Sequence, residues 1–298
     1  MNLRALLCQG VLVTALLVAP FRADAQVSIG VSVHVGPPAL PVYVQPPCPA
    51  PNYIWTPGYW AWGPDGYYWV PGTWVMAPTP GLLWTPGYWG WGAGGVYVWN
   101  AGYWGTHVGF YGGINYGFGY GGVGFVGGEW RGGTFAYNTA VVNVNRTVVH
   151  NTYVNTTVIN NYTTINRTSF NGGPNGVAAH PTPQQQAFAS ERRVPLTQAQ
   201  VQHEQVAGQD RANLASVNRG IPVHAAVARP ATNTAELGHA VPAKAANPHP
   251  AQASPHLAQA NPHQSGAPSH PKTAGVHPGG GQHPGVHPQN ENKPEHKR

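Results

Sequence analysis

The chain has 298 residues, of which only 8% are Asp, Glu, Lys or Arg, and its formal net charge is +6. Ordinary globular proteins carry about 25% charged residues. The Lys and Arg are scattered, largely toward the C-terminus, with no basic stripe among the aromatic residues, which argues against a dedicated nucleic-acid surface.

Residues 1–25 read as a secretory signal peptide. Arg4 gives a positive start, Ala5 to Ala19 an apolar run, and Ala23-Asp24-Ala25 a small-x-small cleavage site. The run is too short for a membrane span, and no small residue precedes Cys8 to support lipidation. Cleavage after Ala25 leaves Cys48 as a lone thiol, reactive or a spectator in Pro-Pro-Cys-Pro. In the N-terminal segment 26–52, Val27, Ile29, Val31, Val33 and Val35 alternate as in a half-buried strand. A proline-rich connector, Pro37 to Pro51, follows.

Residues 53–104 hold a tandem repeat. Trp55-Thr56-Pro57-Gly58-Tyr59-Trp60 returns as Trp69 to Trp74, Trp84 to Trp89 and Trp99 to Trp104, the last with Ala101 in place of proline. A fixed period is the mark of a repeat architecture. Pro-Gly presets a turn, which would set Trp55 opposite Trp60 within each copy. The linking segments around Gly63-Pro64-Asp65-Gly66, Ala77 to Gly81 and Gly92 to Gly95 also carry turn signals. Those turns would set Trp60 against Trp69, Trp74 against Trp84, and Trp89 against Trp99. Trp55, Trp60, Trp69, Trp74, Trp84, Trp89, Trp99 and Trp104 then form one row across an eight-strand meander. Tyr53, Trp62, Tyr67, Met76, Leu82, Trp91 and Tyr97 form a second row beside it. On this reading Gly58, Gly72 and Gly87 need φ > 0. Two-residue hairpins favour primed turns, which Pro-Gly is not, and a shift of one residue would swap the faces. The repeat resembles the WXXGXW (or YXWGXW) repeat family of bacterial envelope proteins. The resemblance implies a place in the envelope and no particular activity.

Segment 105–140 is rich in glycine and aromatics, and reads as loosely ordered or as close-packed backbone, with loose order favoured because glycine is entropically costly to fix. Segment 141–171 repeats Thr-x-apolar-Asn every five residues, with one slip to six, from Thr147 to Asn171. An odd period cannot stay on one strand face, so it predicts either a turn at each rung or Thr/Asn-rich strands that finish the sheet. From Gly172 to Arg298 there is no Trp or Tyr, and so apolar-poor a tail is expected to lack a stable fold. Helices capped by Thr182 and Thr197 are the exceptions. His249, His256, His263, His270 and His277 recur every seven residues among prolines, as an extended, polyproline-like tail. The expected fold is mainly β: an antiparallel aromatic-rich meander of short hairpins, a Thr/Asn-rich β segment and a largely disordered tail.

Catalysis is not expected. Between Gln26 and Phe170 the only acids are Asp65 and Glu129, a poor candidate for the carboxylate pair of a glycosidase. His107 and His150 lack a nucleophile at recognisable spacing, and no phosphate loop or metalloprotease motif appears, so no cofactor is expected. The leading reading is a secreted envelope or surface structural protein whose open sheet edges favour self-association. A carbohydrate-binding module, with the eight tryptophans as its aromatic row and envelope polysaccharide as partner, is the alternative; three of Trp55, Trp60, Trp69 and Trp74 open on one face would favour it. The tail histidines are weak candidates for zinc, copper or nickel, against a plain soluble spacer.

Overall fold

The computed structural model describes residues 31–157 and 167–244. The expected signal peptide, Val27 and Ile29, part of the Thr/Asn repeat and all five heptad histidines lie outside the described residues. The fold is mainly β, with aromatic-rich antiparallel hairpins at its centre.

After a short strand β1 (Ser32–Val33), the repeats form β2 (Tyr53–Thr56), β3 (Tyr59–Gly63), β4 (Gly66–Val70), β5 (Gly72–Met76), β6 (Leu83–Thr85), β7 (Tyr88–Gly92), β8 (Val96–Asn100) and β9 (Tyr103–Gly105). Two of the three linking turns pair their strands as the sequence puts them: β3 pairs β4 with Trp60 opposite Trp69, and β7 pairs β8 with Trp89 opposite Trp99. The second-row residues pair likewise, Tyr53 with Met76, Trp62 with Tyr67 and Trp91 with Tyr97.

The Pro-Gly steps are not turns. β2 pairs β5, with Trp55 opposite Trp74 and Thr56 opposite Thr73, and β6 pairs β9, with Trp84 opposite Trp104. The register runs on from Thr56↔Thr73 to Tyr59↔Val70. Each pair of copies is therefore one long hairpin, interrupted midway where Pro57-Gly58 lies across from Pro71-Gly72. The expected oppositions Trp55/Trp60 and Trp74/Trp84 do not form; the row is four separate cross-strand pairs. A type II turn needs positive φ at its glycine, and Gly58, Gly72 and Gly87 are not among the positive-φ residues. Proline, lacking N–H, interrupts the ladder without reversing the chain.

What these steps do need is glycine's small size. A Cβ on Gly72 would stand 2.6 Å from Trp55 Cζ2, and one on Gly87 2.5 Å from Trp99 Cζ2; Gly58 meets Trp69 and Gly102 meets Trp84 in the same way. The first tryptophan of each copy thus covers the glycine of its partner copy. The interrupted backbone finds other partners: Gly72 N–H donates to Ala225 O at 3.1 Å, beside a parallel strand from the C-terminal segment.

The remaining strands are β10 (Asn115–Gly117), β11 (Tyr120–Gly121), β12 (Gly128–Arg131), β13 (Thr134–Asn138), β14 (Thr152–Tyr153), β15 (Phe170–Asn171) and β16 (Ala226–Val227). The glycine-aromatic segment is close-packed, not loose. Tyr111, Ile114, Tyr120, Phe135 and Tyr137 are fully buried. Its phenols supply O–H donors to the second hairpin, Tyr116 to Gly87 O (2.6 Å) and Tyr120 to Trp84 O (3.0 Å). Glycine is required at Gly119, where φ is +96° and a Cβ would meet Gly127 N at 2.7 Å. The Thr/Asn segment adds β14 beside β13 and β15 beside β7, both parallel. Asn145 and Asn155 each accept from the backbone and hydroxyl of the threonine two residues on, so these Asn-x-Thr steps are turns.

The segment after Gly172 is also folded, as far as Lys244. It carries α1 (Pro183–Phe188), α2 (Gln198–Gln209), α3 (Ala215–Asn218) and α4 (Thr234–Leu237). Thr182 and Thr197 cap the first two in full capping boxes, with Gln185 and Gln200 as reciprocal partners. The segment lacks a large core of its own because it completes the aromatic one, as the indole hydrogen bonds below make clear. Among the described residues no helix is long and apolar enough to cross a membrane.

Candidate functional site

The eight tryptophans of the expected aromatic row are core. Seven are buried, and Trp99 is half-buried. They meet in cross-strand pairs with ring centroids 5.1–5.4 Å apart: Trp60–Trp69, Trp55–Trp74, Trp84–Trp104 and Trp89–Trp99. None of Trp55, Trp60, Trp69 and Trp74 is open on a face, so the row is not a ligand platform. The physical reason is the separation of the tryptophans. A separation of five residues from Trp55 to Trp60 would place them on opposite faces of a straight strand; the Pro-Gly interruption between them resets the chain, and both turn into the core. Buried indole N–H groups need acceptors, and segments distant in sequence supply four of them. Trp60 donates to Ala39 O, Trp74 to Pro46 O, Trp69 to Ala225 O and Trp104 to Gln200 Oε1. The two hairpins are joined by Trp89 Nε1 donating to Trp60 O (2.8 Å) and by Tyr59 stacked on Trp99 (5.1 Å, 19°).

The open tryptophans are Trp62 and Trp91, 39% and 40% exposed, one beside each hairpin tip. Of the two acids near the repeats, Asp65 sits exposed at a tip, and Glu129 is exposed and paired with Arg131. Cys48 is fully buried and free, its Sγ–H donating to Ala50 O; burial pushes its thiol up to about 11. That is the behaviour of a spectator. Among the described residues no group of three or more His, Cys, Asp or Glu could hold a metal ion.

Two cavities flank the Pro-Gly interruptions, and the repeat positions in their walls correspond. The first is walled by Thr56, Pro57, Tyr59, Val70, Pro71 and Thr73; Trp84, Pro86 and Gly87 of the second hairpin, Tyr116, and Gln200 and His203 of α2 close it, leaving only ≈30 Å³. His203 is buried and held from both sides. Ala231 N–H donates to Nδ1 (2.9 Å), so Nε2 carries the proton and donates to Pro71 O (2.9 Å). Burial keeps this imidazole below the usual histidine range. Next to it, burial holds the Glu204 carboxyl above its ordinary value, against a lowering contact from Tyr59.

The second cavity is a surface groove of ≈440 Å³ walled by Thr85, Pro86, Tyr88, Asn100, Ala101 and Tyr103. Phe110 and residues of the α1 segment, including Gln186 and Arg193, complete it. Phe110 packs edge-on against Tyr88 (5.4 Å, 79°), and the Arg193 guanidinium lies 4.4 Å above the Tyr103 ring. Burial raises the Tyr88 phenol, with Tyr103 adding to the shift. Arg193 is the one charged residue in the lining. Sequence reasoning missed this groove because its walls come from residues about eighty positions apart, and because only the residues between the tryptophans line it.

Residues 51–75 and 80–104 each match one copy of the WXXGXW repeat. Each matched segment spans one complete interrupted hairpin, so the structural unit is a pair of motifs. No curated protein and no solved structure matches the chain. Those two segments are what the chain shares with the WXXGXW repeat family.

Proposed function

We propose that the protein is a non-catalytic structural or assembly component of the bacterial cell envelope, exported through the signal peptide at residues 1–25. One observation carries the reading: the chemically conspicuous residues of the repeat are spent on packing. Seven of its eight tryptophans are buried, and the N–H groups of Trp60, Trp69, Trp74 and Trp104 tie the connector and the C-terminal segment to the hairpins. The ionisable groups near the core are used in the same way, as His203 is between Pro71 and Ala231. Partners of such a component would be envelope polysaccharide or a second copy of the chain.

Fractionation of cells with N-terminal sequencing tests this. A chain beginning at Gln26 in the periplasm, at the outer membrane or in the medium is expected, and sedimentation reports its self-association. A chain that begins at Met1 and stays in the cytosol overturns the reading.

Polysaccharide binding is the second reading, and the open groove beside Tyr88 and Tyr103 favours it. Weak metal binding by His249, His256, His263, His270 and His277 is a third. Calorimetry with Ni²⁺ or Zn²⁺ should show weak binding only, and one tight stoichiometric site would overturn the plain spacer.

A further inference from the structure

The repeat makes its two cavities comparable residue by residue. Thr56, Pro57 and Tyr59 correspond to Thr85, Pro86 and Tyr88. In the returning arm, Asn100, Ala101 and Tyr103 stand where the first hairpin has Val70, Pro71 and Thr73. Each face also receives a helix with a threonine cap and a glutamine three residues on. On the first face, His203, three residues past Gln200, fills the hole together with Trp84, Pro86, Gly87 and Tyr116, and the ≈30 Å³ left is room for about one water. On the second, the equivalent residue is Phe188. It turns aside to stack on His107 (4.3 Å, 8°), and the ≈440 Å³ groove stays open. That volume lies within the range of small-molecule sites, roughly 300–1,000 Å³.

The exchanged residues change the chemistry as well as the size. Asn100 for Val70 and Tyr103 for Thr73 replace an aliphatic wall by an amide and an aromatic ring. Arg193 and Gln186 are exposed at the rim. Arg193 has one N–H on Ala189 O (3.0 Å), while a guanidinium has five donors. A ligand suited to these walls has a ring with an apolar face for Tyr88, Tyr103 and Phe110, hydroxyls for the side-chain amides, and an anionic group for the single cation. A nucleic-acid strand would need a run of cations, which the lining lacks.

We propose that this groove binds an acidic saccharide unit, a hexuronate-type sugar carrying a carboxylate, through aromatic walls and an Arg193–carboxylate contact. The inference rests on the proposed envelope role and names the class of partner. Arg193 can grip a carboxylate by paired N–H bonds, and the phenols give selectivity for a ring over an extended peptide.

The test is calorimetric titration of the full chain with four probes: tetragalacturonate, free galacturonate, a neutral cello-oligosaccharide of equal length, and a proline-rich peptide. Tetragalacturonate should bind more tightly than the neutral sugar. Arg193→Gln, at an exposed side chain, should weaken acidic binding by roughly tenfold or more, the size of a lost charge-assisted hydrogen bond, and should leave the melting temperature unchanged. Tyr103→Thr, which restores the residue of the closed face, should weaken it as well. Binding of free galacturonate comparable to that of the tetramer assigns the site to a single sugar unit; a much tighter tetramer assigns it to a polymer. Equal affinity for acidic and neutral sugars, preference for the peptide, or no effect of Arg193→Gln overturns the proposal. Those failures leave the envelope reading standing, since fractionation alone decides that.

Discussion

Gly72→Ala is the sharpest test of the hairpin geometry. Its Cβ would stand 2.6 Å from Trp55 Cζ2, 2.9 Å from Gly58 N and 3.0 Å from Tyr43 Oη, whereas carbon atoms in contact prefer about 3.5–4.0 Å. Trp55 cannot yield cheaply: it is fully buried, and it packs edge-on against Trp74 (5.3 Å) and Phe118 (5.7 Å). Gly58 N belongs to the facing arm, so moving it opens the hairpin. Overpacking costs about 1–3 kcal/mol, and contact with both backbone and a fixed indole puts Gly72→Ala near the top, about 3 kcal/mol. At about 2–4 °C per kcal/mol for a chain of this size, the melting temperature should drop by roughly 6–12 °C. Gly94→Ala isolates the other cost. It has φ of +78° and nothing within 4 Å, so only left-handed backbone strain applies, about 1 kcal/mol. Near-UV dichroism melts of both variants give the comparison. Adding Trp55→Phe to Gly72→Ala should recover part of the loss, as a coupled pair in a double-mutant cycle. If Gly72→Ala melts within about 2 °C of the parent while Gly94→Ala falls further, tryptophan cover is not what fixes the glycine.

The Trp69 ring is paired with Trp60 and not with Trp74, so Trp69→Phe should alter the near-UV signal of Trp60 and leave the Trp55–Trp74 pair unchanged; a change spread over all three would restore the continuous row. Cys48, with its thiol raised to about 11, should resist iodoacetamide at pH 8 in the folded protein and react in denaturant; fast labelling when folded would contradict its burial. His203 is held below the usual histidine range, so it stays neutral when folded while the unfolded chain takes up a proton near pH 6.5. Its contribution is present above about pH 6.5 and lost as the pH falls toward the folded value. Melting temperatures should therefore fall between pH 7 and 5, and His203→Gln should flatten that part of the curve. Glu204, raised by burial, works in the opposite sense and stabilises as the pH falls, so a parent curve no steeper than that of His203→Gln refutes the assignment.

Much of the fold was legible because its signals are local. Gly63 to Gly66 and Gly92 to Gly95 are turns in sequence and in structure, and they alone set Trp60 against Trp69 and Trp89 against Trp99. Thr182, followed by Pro183, and Thr197 announce their helices, and the structure adds Gln185 and Gln200 as reciprocal caps. Pro-Gly misled because the same dipeptide serves a turn and an interrupted strand. Proline withholds its N–H in both, and whether glycine takes positive φ or lies under a ring depends on a partner fourteen residues away. The order of 105–140 and 172–244 was hidden for a related reason. Glycine runs and a lack of aromatics read as poor cores, yet these segments bring single groups to a core built elsewhere: the Tyr116 and Tyr120 hydroxyls, the Gln200 carbonyl and the Ala225 backbone oxygen.

The spacing of the motif follows from that arrangement. In two antiparallel copies, the first tryptophan of one pairs with the last tryptophan of the other and covers its glycine, so Trp, Gly and Trp are each fixed by the partner copy. A single copy leaves both indoles unpaired and its glycine uncovered, which is why the motif occurs here in twos. The positions between them carry no such duty. Val70 and Asn100, Pro71 and Ala101, Thr73 and Tyr103 sit on the same hairpin face with the same backbone register, yet one set lines a cavity shut by His203 and the second hairpin and the other an open groove. Ala101, the one departure from Pro-Gly, falls on the open side. Chemistry can therefore vary at these positions while the tryptophan pairs hold the scaffold constant, and differences between copies, more than their shared residues, are where a ligand preference would be written.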